Sequence, residues 1–178
     1  MDKRKEANRR VKSSITEALL SLMYQKSFSD ISITELIQTA NVARTSFYRN
    51  YESKEDVLIT LIGDVLDQFK EVIEFEEDDY YTYQNILRSF EFFEQYKSYV
   101  LDLYLFGYGS ILLEKLNQFH EEVAGSMPYS SIERYQIYMY MGALFNTAIV
   151  WLRGGTKERA GDIAGMFCDV WGIPRNKK

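Results

Sequence analysis

The sequence is short of the residues that staple a chain, ligate a metal or break a helix. There is one cysteine, Cys168, so no disulfide can close within one chain. There is one histidine, His120, so no Cys/His metal cluster can be assembled. A Cys–His nucleophilic pair would need these two lone residues to meet, and no paired acids converge on the aromatic segments. Neither an enzyme nor a cofactor is therefore expected. Beside Phe119 and Glu121, His120 is expected at the surface, and Cys168 in the core or an interface. Proline occurs only twice, at Pro128 and Pro174, which leaves long helices room to run. The most apolar run, residues 137–152, includes Tyr138, Tyr140, Asn146 and Thr147. It is shorter and more polar than a membrane span requires, so a buried helix is expected there. The opening MDKRKEANRRVKSSITEALL has basic residues but no apolar run after them. It reads as neither a secretory signal nor an anchor, and a cytoplasmic protein without a membrane partner is expected.

What is present is an ordinary globular composition, 46% hydrophobic and 26% charged over 178 residues, enough for one domain or two small ones. The net charge of −5 hides an asymmetry. Residues 1–54 hold ten Lys and Arg against six Asp and Glu, whereas residues 55–178 hold eleven against twenty. A basic head on an acidic body suggests a nucleic-acid end, although a solvated basic face without a partner gives the same balance.

Apolar spacing of three and four predicts helices throughout, an all-α fold of about nine, and the alternating period of strands is missing. The first runs from about Lys5 to Lys26 with Val11, Ile15, Ala18, Leu19, Leu22 and Met23 on one stripe. Ser32-Ile-Thr-Glu35 has the form of a capping box, with Ser32 accepting from the Glu35 amide and Glu35 reaching back, and opens a short helix to about Ala40. Asn41 suits a tight left-handed turn. A third helix spans about Arg44–Tyr51, and Ser53 can cap a long fourth that ends in the acidic run Glu74–Asp79, of which Glu76–Asp79 marks the boundary to the rest. Two short helices joined by a few residues are a helix-turn-helix arrangement. Residues 1–54 are read as that head and 55–178 as a helical body. The body's breaks are expected near Gln95–Ser98, Gly107–Gly109, Gly125–Ser131 and Gly154–Gly155. Ser130 or Ser131 can cap a helix running to about Arg153, and a last helix covers about Lys157–Trp171.

On the wheel of the third helix, Val42, Phe47 and Tyr51 fall on the side that can pack. Arg44, Thr45, Tyr48 and Arg49 fall on the other, with Ser46 near the edge. So short a helix exists only because Phe47 and its neighbours are buried. Arg can pair with guanine edges and Thr with thymine methyls or base acceptors, while Tyr48 can donate to a phosphate. Lys54 sits at the amino end of the fourth helix, where ammonium, amides and dipole can hold a phosphate, and Thr34 can do the same at the second helix. The basic arm Lys3-Arg4-Lys5, continuing to Arg9-Arg10, is expected to follow the DNA backbone or enter a minor groove.

These residues resemble the DNA-binding domain of TetR/AcrR-family transcriptional regulators. The resemblance lies in Phe47-Tyr48-Arg49-Asn50-Tyr51 with Lys54 and Leu58, and upstream in Ile33-Thr34-Glu35-Leu36-Ile37 and Ala40-Asn41-Val42. Asn41 departs from the usual turn Gly, and Ala43 stands where a Ser or Thr usually caps. The resemblance covers about residues 8–60. It implies a homodimer on a palindromic operator of double-stranded DNA, most simply a repressor released by a small effector, with Asn50 among the DNA-facing residues. A divergent relative working as a coactivator through protein contacts is the alternative. The later part, Tyr138 to Gly155 and the last helix, is similar to a subgroup frequent in low-GC Gram-positive bacteria.

That resemblance also implies that the last two helices pair with their copies. The apolar circumference of the helix ending near Arg153 supports this independently. The expected interface is Gly142, Phe145, Ile149, Leu152, Ile163, Phe167 and Trp171, with Ala143 and Ala148 allowing close approach. Phe69, Phe90, Phe93, Tyr104, Phe106, Tyr108, Tyr138, Phe145 and Trp151 are candidates to line a cavity for an amphipathic or aromatic effector, with Asn146 and Thr147 to orient it. The competing reading is that these rings simply fill the core.

Overall fold

The computed structural model describes residues 3–73, 81–124 and 131–175. Among them are nine α-helices, one 3-10 turn and no strand. They group into two compact units, Met1–Asp64 and Val65–Lys178, which divide inside one helix. The acidic run Glu76–Asp79 and the break at Gly125–Ser130 lie outside the described residues.

In the first unit, α1 (Lys3–Met23), α2 (Ile33–Thr39), α3 (Arg44–Asn50) and the first turns of α4 (Lys54–Val72) are built from local signals. Ser32 Oγ accepts from the Glu35 amide at 3.1 Å, as the capping sequence requires. Glu35 Oε2 accepts from Lys26 Nζ at 2.6 Å, fixing the α1–α2 connection to α2. Asn41 adopts φ 51°, the left-handed turn between α2 and α3. Ala43 supplies no side-chain cap to α3. Ser53 Oγ accepts from the Asp56 amide and starts α4. The core is Ile15, Leu19, Leu22, Leu36, Phe47 and Val57, all buried. Burying a ring of Phe47's size contributes roughly 2–3 kcal/mol, more than a seven-residue helix can gain from its own hydrogen bonds.

Helix α1 starts at Lys3, so the basic stretch expected as an arm is helical rather than extended. Nothing in it breaks a helix, and Glu6 pairs with Arg10 one turn on, at 2.8 Å. Lys3's side chain lies outside the described residues.

The second unit holds the end of α4 with α5 (Tyr83–Gln95), α6 (Lys97–Leu105), α7 (Gly109–Ala124), α8 (Ile132–Arg153) and α9 (Ala160–Trp171). Thr82 and Ser131 cap α5 and α8 through their hydroxyls. Helix α9 begins later than the apolar spacing predicts. Gly155 and Thr156 take positive φ, and the Trp151 indole donates to the Glu158 carbonyl at 3.0 Å, so residues 155–158 form a turn. The core is a continuous run of rings. Phe69 meets Phe92, Phe93 and Phe119, and Phe93 meets Phe145. Phe90 meets Trp151 and Phe167, and Tyr140 meets Phe167 and Trp171.

His120, expected at the surface, is 3% exposed. Its Nδ1 lies 2.9 Å from the Leu116 carbonyl, and its ring packs edge-on against Phe119. Burial pushes its pKa down to about 4, against a smaller upward pull from that carbonyl. Cys168 is buried, as expected, and burial pushes its thiol pKa up.

Candidate nucleic-acid interface

Helix α3 is held by one face. Phe47 is 0% exposed and Tyr51 is buried beside it, their rings 5.9 Å apart. The Tyr51 hydroxyl bonds with Thr16 of α1, and Lys12 lies 5.8 Å over its ring. Burial, against that hydroxyl bond, raises Tyr51's pKa, so the phenol stays neutral and acts as a buried peg.

The opposite face carries Arg44, Thr45, Tyr48 and Arg49, all exposed, with Ser46 half-buried at the edge. The wheel had placed each of them there. The face is also partly ordered before it meets anything. Tyr48 stands edge-on to Phe47 at 5.3 Å, so the core sets its angle. The Arg44 guanidinium lies 5.4 Å over the Tyr48 ring, and its Nη2 donates to the Tyr48 hydroxyl at 3.4 Å. A guanidinium held over a ring by one of its nitrogens has further donors to offer to phosphate or to a guanine edge.

The four other described contact candidates divide. Thr34 and Arg4 are exposed, Thr34 in the first turn of α2 and Arg4 near the start of α1. Asn50 is half-buried and turns its amide back onto the Ser46 carbonyl at 2.8 Å, so only part of its hydrogen-bonding capacity faces out. Lys54, expected to hold a phosphate at the amino end of α4, has its ammonium on protein carbonyls. Its ammonium donates to the carbonyls of Phe28, Ile31 and Ser29 at 2.6, 2.8 and 3.0 Å, which uses all three of its protons. No sequence signal points to this, because the acceptors are backbone atoms more than twenty residues away.

The body corrects the other expectations. Phe145, Ile149, Leu152 and Phe167, expected between two copies, are buried in the unit's own core. Trp171 is half-buried, stacked on Phe167. Outside, α8 leaves Ile132, Glu133, Tyr135, Gln136, Tyr138, Met139, Asn146, Val150 and Arg153, and among them Tyr135, Met139, Asn146 and Val150 line up, with Gly142 and Ala143 half-buried between them. These recur every three or four residues, one continuous stripe. Val150 is 71% exposed and Met139 59%. On α9 the outer positions are Asp162, Met166, Asp169 and Val170, beside half-buried Ile163.

The effector candidates also divide. Phe69, Phe90, Phe93 and Phe145 are buried and packed ring to ring, as core residues are. Tyr104 and Tyr108 are half-buried, with Arg153 lying 6.0 Å over Tyr104. Tyr138 is exposed and its hydroxyl accepts from Arg134 at 3.3 Å. Asn146 faces solvent.

Among the described residues, no three His, Cys, Asp or Glu are grouped so as to hold a metal, and no helix is long and apolar enough to cross a membrane. Residues 15–61 match the family model of the bacterial regulatory proteins of the tetR family. A 73-residue stretch is 32% identical to the HTH-type dhaKLM operon transcriptional activator DhaS of Lactococcus lactis subsp. lactis (strain IL1403). That stretch takes in 41% of this chain and only 37% of that protein's length. Two solved structures share the fold across nearly the whole chain. One is a TetR transcriptional regulator from Streptococcus agalactiae 2603V, with TM-score 0.60 and 22% identity over 94% of this chain and 96% of that one. The other is a dihydroxyacetone kinase operon activator DhaS, with TM-score 0.54 and 18% identity over 90% and 93%. The chain therefore carries the N-terminal domain of the TetR family of bacterial regulatory proteins, followed by a helical body.

Proposed function

We propose that the chain is a sequence-specific DNA-binding transcriptional regulator that works as a homodimer. One observation carries the reading: α3 is fixed through Phe47 and Tyr51, and its free face is Arg44, Thr45, Tyr48 and Arg49. A pair of such helices, one from each copy, fits successive major grooves of a palindrome about 34 Å apart. The apolar stripe of α8 and the outer positions of α9 supply the self-complementary surface that a two-fold pair needs. Repression, with release by a small amphipathic effector, is the sign of regulation proposed first. An effector then has to bind the released conformation more tightly than the DNA-bound one. The half-buried edges of Tyr104 and Tyr108 are where it meets the body's rings.

A second reading, activation of an operon, is favoured by the relatives named DhaS, which are described as operon activators. The test is a mobility shift with duplex carrying an inverted repeat from upstream of the chain's own coding region. The wild-type chain is expected to shift it, and the Tyr48→Phe, Arg49→Ala double variant, folded and still paired, to bind it far more weakly. Equal affinity of the two proteins would defeat the assignment of α3.

A further inference from the structure

We propose that Lys54 is a positioning residue, a three-carbonyl staple that ties the start of α4 to the α1–α2 connection, and not a phosphate ligand. The inference rests on the DNA-binding reading but is carried by its own geometry. Lys54 opens α4, where the helix dipole presents positive potential, so an ammonium there is on the unfavourable end. Something must offset that, and the three carbonyls of Phe28, Ser29 and Ile31 converge on it within 3.0 Å. The Phe28 ring adds its face, 4.7 Å from Nζ. Charge-assisted bonds of this kind are roughly twice as strong as neutral ones, and here three share one donor.

The consequence follows from what those carbonyls belong to. Phe28 and Ser29 lie in the 3-10 turn, and Ile31 immediately precedes Ser32, the residue that caps α2. Lys26, from the same connection, grips Glu35 of α2. The connection is thus fixed to α2 on one side and to α4 on the other. Any turn or slide of the first residues of α4 is passed to the start of α2, and through the Asn41 turn to α3. An ammonium already holding three carbonyls has no proton left for a phosphate.

Three measurements on the full chain decide between staple and phosphate contact. The first is the salt dependence of binding to the inverted-repeat duplex. Removing one phosphate contact lowers the slope of log K against log salt by about 0.9. Lys54→Met is expected to keep the wild-type slope while affinity falls by on the order of tenfold at every salt concentration. A slope lowered by about 0.9, or an unchanged affinity, overturns the proposal. The second is Lys54→Arg. A planar guanidinium binds phosphate well but cannot aim three protons from one nitrogen at three carbonyls. It is expected to lose affinity as Lys54→Met does, and wild-type affinity would contradict the staple.

The third needs no variant: amine acetylation of the wild-type chain, read by mass spectrometry with and without duplex. Lys54 is expected to label far more slowly than exposed Lys5, and equally slowly in both conditions. Labelling as fast as Lys5 in the free chain overturns the proposal. A wild-type chain that binds no duplex would sink the regulator reading instead, and the labelling of the free chain still decides the staple.

Discussion

Helices α3 and α8 solve the same problem and leave opposite remainders. Each buries one side against its own unit, α3 through Phe47 and α8 through Met141, Leu144 and Ala148. Outside, α3 keeps Arg44, Thr45, Tyr48 and Arg49, whereas α8 keeps a mostly apolar stripe of Tyr135, Met139, Asn146 and Val150. Charged and hydroxyl groups are at ease in water and gain most from a charged, donor-rich partner such as DNA. A stripe of apolar groups gains most from another apolar surface. The difference teaches where to look for function in a small helical protein: in what a helix has left over once its fold is satisfied.

Four experiments sharpen or break that contrast, from the largest effect down. Val150→Glu puts a carboxylate into the proposed two-fold interface twice, at about 3–5 kcal/mol for each charge buried without a partner. Sedimentation is expected to show a dimer for the wild type and a folded monomer for the variant, and an unchanged dimer would move the interface off α8. Phe47→Ala removes the anchor of α3 and is expected to cost about 3–5 kcal/mol. Both tryptophans, Trp151 and Trp171, lie in the second unit. The variant should therefore lose helical circular dichroism while Trp fluorescence stays native, and joint loss of both signals would show that the units melt as one.

His120 gives the body a pH dependence. The unfolded chain takes up its proton near pH 6.5, the folded one near 4, so folding is penalised as pH falls through that window. The loss is on the order of 3 kcal/mol, complete below the folded value. Urea titrations followed by Trp fluorescence are expected to show a shallower loss for His120→Leu than for the wild type, and parallel slopes would contradict the buried neutral ring. The smallest effect is Ser32→Ala, which removes the α2 cap at about 1 kcal/mol. A head as stable as the wild type would mean that the Lys26–Glu35 and Lys54 contacts hold α2 without it.

Most of the head was legible in the sequence because its signals are local. Ser32 and Ser53 cap within three residues, Asn41 announces its own turn, and the two faces of α3 differ in chemistry, so the wheel has one solution. The body's helices were legible but not their orientation. Residues 137–152 are apolar on nearly every side, so periodicity could not tell Phe145 and Leu152, which face the core, from Met139 and Val150, which do not. His120 was misjudged for the same reason: Glu121 and Glu122 beside it suggested solvent, yet α7 turns it onto α8, where Tyr140 lies 6.4 Å away. The contacts of Lys54 were not legible because its partners are backbone carbonyls brought near only by the fold.

The central claim is that the outer face of α3 lies against duplex DNA. Cys168 is fully buried, so Thr45→Cys adds the one reactive thiol expected at the surface, and Leu105→Cys, on the exposed end of α6 and outside the proposed interface, serves as a control on the body. With saturating inverted-repeat duplex, the thiol at position 45 is expected to be protected from a thiol reagent while the one at position 105 reacts at its DNA-free rate. A thiol at position 45 that reacts equally fast with and without bound DNA would contradict the account.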